Sequence, residues 1–350
     1  MIFRSAAILL AVGVTAIQAD DTPSPPPVLI HIGNLTVRPS GFVDAIGMSR
    51  SSTTPDSVST KFGSIPLTET PGESLGSPRN SRLMLKGDLP IGSVKFSGYL
   101  ENDFMNFTSG ESPFRWRQYW GQARIGKWEI LGGQAWSMLR PNRAGTASDQ
   151  DTFHTDVIDP AYHVGLLGSR VRQVRVGRTM GIYKTVVAWE TDGNILTKIV
   201  RDKSRSHLEL GSLAGRFGRR GVTGSAVAGL TSRFRLVTQQ YWSKRAAAYA
   251  LGVVPAGVNG LSTLDGMEAQ VGKSLEVYSY AGLVYAAHAA DSGNRLVREW
   301  TVGVNHRLNT PALWGSILMS LQYSHLDRAV WNGKAGEMDF LMYRFRYTFN

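Results

Sequence analysis

Residues 81–136 read SRLMLKGDLPIGSVKFSGYLENDFMNFTSGESPFRWRQYWGQARIGKWEILGGQAW, and they decide the fold. Four short runs in this stretch alternate charged or polar with apolar residues. In 81–87 the even positions Arg82, Met84 and Lys86 oppose Leu83 and Leu85. In 94–104 Lys95, Ser97, Glu101 and Asp103 oppose Val94, Phe96, Leu100 and Phe104. In 114–124 Arg115 and Arg117 oppose Phe114, Trp116 and Trp120, and 128–138 is the fourth run. A period of two puts successive side chains on opposite faces of a strand. The polar face carries bases on one strand, acids on the next and bases again on the third. The other face keeps Leu, Phe, Val and Trp. A sheet with an apolar outer face and a charged inner face suits a closed barrel in lipid.

The rest of the composition agrees. The 350 residues include 38 glycines and no cysteine, so disulfides, thiolate metal sites and thiol nucleophiles are excluded. The formal net charge of +11 points to nucleic acid, an anionic membrane surface or an anionic solute. Hydrophobic residues make up 42% of the chain. After the N-terminus, however, no run reaches the roughly 18 apolar residues of a transmembrane helix. A membrane protein without such helices must be a barrel.

The chain starts with a short basic region ending at Arg4, an apolar core over 5–17, and a cleavage point after Ala19. This reads as a secretory signal peptide over 1–19, too short to span a bilayer. Residues 20–35 form a Pro-rich periplasmic leader with Pro23, Pro25, Pro26 and Pro27, which cannot join a helix or a central sheet. The barrel is expected over 36–350, with a first strand near 42–48. Residues 51–78 are a long Ser/Thr/Pro/Gly loop, unusual in a compact soluble domain but ordinary on one rim of an outer-membrane barrel.

Residues 140–167 are too long and polar for a turn. They are either an external loop or a segment folded back to constrict the pore. Residues 170–178 resume as a strand crowded with Arg170, Arg172, Arg175 and Arg178. In that run Arg172 and Arg175 cannot share a face without a bulge. Further runs lie at 206–217, 222–236, 301–307 and 316–323. The final stretch 342–350 alternates aromatic and polar residues up to Phe349, as a last outer-membrane strand does.

At Ser81-Arg82…Lys86, Gly98-Tyr99-Leu100-Glu101-Asn102-Asp103-Phe104, Arg115-Trp116-Arg117-Gln118 and Gly133-Gln134-Ala135-Trp136-Ser137, the chain resembles the DcaP-like family of bacterial outer-membrane porins. Arg172-Gln173-Val174-Arg175 and the aromatic C-terminal strand fit the same pattern. The resemblance implies a homotrimer of antiparallel barrels, each of about 16 strands, passing small anionic solutes across the bacterial outer membrane. Spacing alone leaves Trp116, Trp120, Trp128 and Trp136 open as girdle anchors at the membrane interface; the resemblance implies instead that Trp136 lines the pore with Gln134, and that Gln173 and Arg175 point inward. Length agrees with 16 strands at about 9–11 membrane residues each plus connections, and 14 or 18 also fit. Some relatives carry a coiled coil where this chain has its Pro-rich leader.

A charge facing mid-membrane lipid costs about 2–4 kcal/mol. By that cost Arg82, Lys86, Arg115 and Arg117, inside strand patterns, are expected to face the lumen. Glu101 and Asp103 are expected beside them in cross-strand charge pairs rather than as a catalytic acid and base. Arg140, Arg143, Arg201, Lys203, Arg219 and Arg220 fall in loops or turns and read as rim residues near lipid and lipopolysaccharide headgroups. His154 with Asp149, Asp151, Asp156 and Asp159 is a weak ion-binding signature. No metal or other cofactor is expected. A lipase-like barrel enzyme would need a Ser–His pair. His207, His288, His306 and His325 are present without a recognisable motif, so no enzyme is expected. A nucleic-acid binder fits the charge but not the signal peptide.

Overall fold

The computed structural model describes residues 27–54, 57–106, 113–149, 153–203, 206–251, 257–288, 290, 293–310 and 315–349. The signal peptide over 1–19, residues 20–26 of the leader, Asp151 and Asn350 lie outside them. The described residues form eighteen strands: β1 (Ile30–Ile32), β2 (Leu35–Arg50), β3 (Glu73–Ser77), β4 (Arg82–Ile91), β5 (Val94–Asp103), β6 (Arg115–Ile125), β7 (Trp128–Trp136), β8 (Arg170–Met180), β9 (Tyr183–Glu190), β10 (Asn194–Lys203), β11 (Ser206–Ala214), β12 (Arg220–Gly229), β13 (Phe234–Lys244), β14 (Gly260–Val271), β15 (Leu275–Ala286), β16 (Asn294–Thr310), β17 (Gly315–Val330) and β18 (Ala335–Phe349).

From β4 onward each strand pairs antiparallel with the next. The ring closes where β2 pairs with β18, from Arg50↔Phe340 to Gly41↔Phe349, and with β4, from Thr36↔Asp88 to Phe42↔Arg82. β1 and β3 each extend the sheet beside β2, so the wall is a closed barrel of 16 strands. Closure leaves no open edge, which is the condition for a sheet to cross lipid. Connections at the end holding both termini are short, as at 92–93, 126–127, 181–182 and 272–274. The longer connections, 104–114, 137–169 and 245–259, join strand ends at the opposite rim. Short periplasmic turns and long external loops orient the barrel.

The alternation expected from sequence sets the faces. Leu83, Leu85, Phe96, Leu100, Trp128, Ile130, Val174 and Val176 are exposed on the outside. Their neighbours Glu101, Asp103, Glu129, Gln173 and Arg175 are buried inside. Three local expectations change. The first strand runs from Leu35 to Arg50, longer than 42–48, and Ile30–Ile32 of the leader pairs with it. The run at 222–236 is two strands. There the Thr231 hydroxyl accepts from the amides of Arg233 at 3.1 Å and Phe234 at 3.0 Å and closes a side-chain-directed turn. Finally, Trp120 is 7% exposed and stacks inside on Tyr99 at 5.3 Å, not on the outer face with Trp116.

Because the inter-strand ladder is continuous around the barrel, the folded chain should resist detergent until heated. Boiled and unboiled samples are expected to migrate differently on a denaturing gel, with a strand-type circular dichroism spectrum. Identical mobility and a helical spectrum would contradict the fold.

Candidate functional site

The charged wall is built on β4, β5 and β6. Arg117 lies between two carboxylates. Its guanidinium pairs with Glu101, donates to Asp103 at 2.7 Å and donates to the Tyr162 hydroxyl at 3.0 Å. Arg115 binds Asp103 through two nitrogens, at 2.9 and 2.6 Å. From the other flank Arg82 reaches Glu101 at 3.3 Å. Gln118 donates to Glu101 at 2.8 Å, and Lys86 pairs with Asp149. Two carboxylates held by this many guanidinium donors are poor proton carriers. The arrangement suits a fixed electric field, not general acid–base chemistry.

A bulge makes the cluster possible. Glu101 pairs with Gln118 and Asn102 with Trp116, leaving Arg117 as the extra residue. An extra residue inverts the side-chain parity beyond it. Arg117 and Gln118 therefore both turn inward, and Trp120 follows them.

On β7, Gly133 has φ +135°, and a Cβ there would meet the Tyr119 carbonyl oxygen at 2.3 Å. Only glycine fits this close approach, and it brings Gln134 to donate to the Arg117 carbonyl at 2.9 Å. Trp136 is buried under the Arg140 guanidinium, 4.1 Å from its ring centre. Gln173 donates to the Trp136 carbonyl at 2.9 Å. Arg175 is buried and binds the Thr146 carbonyl at 2.8 Å and the Ser148 hydroxyl. Arg172 is exposed on the outer side, so that strand needs no bulge.

The described residues of the 137–169 segment lie inside the barrel. Asn142 is bonded to Glu209 of β11, Arg143 to Glu268 of β14, and Thr155 to Tyr280 of β15. Ile158 donates to Gln322 of β17 at 2.8 Å and accepts from Arg344 of β18 at 2.7 Å. Apolar contacts complete the seat. Leu139, Ile158, Val164 and Leu167 pack with Phe62 and Ile65 against Val186, Val284, Leu326 and Phe340 of the wall. The inner face under this segment thus combines apolar residues with polar and charged groups that bond its backbone and side chains. Arg140 and Arg143, expected at the rim, are inside for this reason.

Two chambers flank the segment. One of about 780 Å³ is lined by Lys61, Arg115, Arg117 and Arg170, with no acidic residue in its described lining. The other, of about 260 Å³, is lined by Arg82, Arg143, Arg344 and Arg346 against Asp156 and Asp159. Pro160 and Tyr162 belong to both. Tyr162 has φ 73°, a left-handed conformation costly for a bulky side chain and concentrated at functional positions.

Of these residues, sequence reasoning missed Tyr162, Arg143, Arg170, Arg344 and Arg346. The last two carried a readable signal, because they alternate with Tyr343 and Phe345. The weak ion-binding signature around His154 does not come together as a site among the described residues. Asp149 pairs with Lys86, Asp156 with Arg307 and Arg346, and Asp159 accepts from the Thr60 and Ala161 amides. The described residues place His325, Asp327 and Glu337 within metal-ligand distance of one another, but on strand positions that alternate with the inward Leu326 and Met338.

No family model and no curated protein sequence matches the chain. Solved structures do. The outer-membrane channel DcaP of Acinetobacter baumannii superposes with a TM-score of 0.77 at 16% identity, over 93% of this chain and 100% of that one. The chain has the fold of an outer-membrane porin. The likeness to DcaP-like channels read from the sequence is borne out by this match. An anion-selective porin from Comamonas acidovorans gives a TM-score of 0.60 at 14% identity, over 90% of this chain and 100% of that one. OmpF of Salmonella typhi gives 0.61 at 10% identity, over 92% and 100%.

Two predictions follow from the seated segment. Gly165 has φ +86°, and a Cβ there would meet the Thr263 carbonyl oxygen at 1.9 Å. Gly165→Ala should therefore cost about 1–3 kcal/mol of packing and expose the segment to limited proteolysis while the barrel stays heat-modifiable.

Burial pushes the Asp159 carboxyl up to about 7. The neutral form favours the packed segment, so this contribution is complete below the ordinary value of 3.8 and lost as pH rises through about 7. Protease clipping near residues 57–66 should rise between about pH 5 and pH 8 in the wild type. In Asp159→Asn it should stay flat.

Proposed function

We propose that the chain is a DcaP-like porin of the bacterial outer membrane. In this reading it works as a homotrimer and passes small hydrophilic solutes by passive diffusion, with a preference for anions such as small carboxylates. One observation carries the preference. Along both chambers, cations outnumber carboxylates in the lining, four to none in the first and four to two in the second. Burial raises the Asp159 carboxyl to about 7, so it is only partly ionised at neutral pH. In a narrow pore with low-dielectric walls such a surplus lowers the energy of an anion and raises that of a cation.

The mechanism needs no moving part. The barrel replaces lipid with water, and the segment over 140–167 narrows that water path to the stretch beside Tyr162 and Pro160. Arg115, Arg117 and Arg170 draw the anion in on one side. On the other, Arg82, Arg143, Arg344 and Arg346 line the smaller chamber, and guanidinium groups suit a carboxylate. Glu101 and Asp103 hold the guanidinium groups in place and keep the net field modest. Arg82, Lys86, Gln134, Trp136, Gln173 and Arg175 complete the pore wall or brace it. The Comamonas porin, which has the same fold, is named as anion-selective. A lipase-like activity has less support, since the paired carboxylates are locked to arginines and no Ser–His pair has been recognised.

The test is the reversal potential of single channels in a salt gradient. The wild type should favour anions. Arg82→Gln with Arg143→Gln should shift the potential toward cations, because both side chains line the smaller chamber. Arg219→Gln with Arg220→Gln, at the rim, should change it little. Arg117 is a poor choice for reversal, since a carboxylate there would stand beside Glu101 and Asp103. A cation-selective wild type would overturn the assignment. Equal shifts in the two double variants would place selectivity in the surface field.

A further inference from the structure

The external rim above β11, β12 and β13 carries a feature that the pore does not use. The turn at 215–219 lifts Phe217 to 81% exposure, with Arg216 and Arg219 on either side. Arg220 and Lys244 are register partners at the adjoining strand ends, and both are exposed. Arg245 follows, and its guanidinium donates to the Phe217 carbonyl at 3.0 Å. Phe217 and Arg245 have φ of 58° and 55°, two of the three non-glycine residues with positive φ among those described. Arg216, Arg219, Arg220, Lys244 and Arg245 thus lie along one stretch of rim with the exposed Phe217 ring, and the strained Phe217 and Arg245 backbones persist where the surroundings fix them. A depression of about 400 Å³ lies between Phe217, Arg219, Arg245 and Gly257. Residues 210–264 contain no Asp or Glu.

The position specifies what meets this patch. It stands at the end that carries the long loops, on the external side. Directly below, Val222 and Trp242 are 54% and 53% exposed and paired across β12 and β13, so Trp242 marks the membrane interface. Below these, the outward positions of β12 are Gly224, Ala226 and Ala228, a smooth strip with no bulky side chain. An acyl chain can lie flat there. Anionic headgroups at that level would meet the cations, and Arg groups bind phosphate with two donors.

We propose that this rim binds a phosphorylated glycolipid of the outer leaflet. Its phosphates are held by Arg216, Arg219, Arg220, Lys244 and Arg245, and an acyl chain runs down the Gly224–Ala226–Ala228 strip. The site is on the outer wall and does not depend on the pore reading.

The test is native mass spectrometry of the delipidated full chain in detergent, titrated with hexa-acylated lipid A carrying two phosphates. The wild type should retain lipid A. Arg220→Gln with Lys244→Gln should bind about tenfold more weakly or worse, while Arg298→Gln, a rim cation already paired with Asp327, should bind like the wild type. Lipid A stripped of both phosphates should bind poorly to all three. Gel heat-modifiability checks that the variants fold, and Lys244→Gln alone replaces the double variant if that one does not. Its conductance and reversal potential should stay those of the wild type, which separates this outcome from any failure of the pore reading. Equal retention by the double variant, or equal binding of phosphate-free lipid, would overturn the proposal. So would displacement by inorganic phosphate at the concentration of lipid A, which would make the patch a site for a soluble anion. Loss of the oligomer in the double variant would instead make it a contact between copies, and would overturn it too.

Discussion

The structure depends on pairing every backbone amide and carbonyl of the wall. In lipid an unpaired group costs several kcal/mol, so the sheet must end where it begins. That junction is the pairing of β18 with β2, which brings residues 41–50 against 340–349 across nearly the whole chain. Everything else is arranged within this ring. The outer face follows the demand of lipid, and the lumen is left to hold whatever the outer face cannot.

A 16-strand ring encloses more space than wall side chains fill. This chain fills part of it with its own connections. The described parts of the segment over 137–169 and the one around 57–66 bring an apolar surface inside and cover inward Val, Leu, Phe and Met with it. Their polar groups are then bonded to Glu209, Gln239, Glu268, Glu299 and Gln322 of the wall. The water path is what this packing leaves over, and the charged residues along it are mostly arginine.

Arginine suits that border for a physical reason. A guanidinium is never neutral at ordinary pH and offers five donors in a fixed plane. Arg117 uses them on Glu101, Asp103 and Tyr162, which ties the wall to the inserted segment. Arg344 does the same between Asp44 and the Ile158 carbonyl. The charges that would draw an anion therefore also hold the inserted segment in place, so field and shape are coupled. Removing one such residue is expected to change both.

Much of the fold was legible because lipid imposes a period of two on sequence. Leu83 and Leu85, Phe96 and Leu100, and Tyr343 and Phe345 are outward for the reason their spacing suggested, and Glu101 and Asp103 are inward for the same reason. The strand number followed from chain length and the resemblance together. What spacing could not reveal are the places where the period breaks. The bulge at Arg117 turned Trp120 inward, and a Thr231-centred turn divided the run at 222–236. Nor could spacing decide between rim and lumen for Arg140 and Arg143. The segment that carries them has no period, and its place is set by contacts with strands far away in the chain. The sequence by itself determined the two faces of the wall, because each residue answers alone to lipid or to water. Only the tertiary structure decided the pore, because its lining is assembled from β4, β6, β8, β18 and the inserted segment, and long-range packing leaves no local pattern.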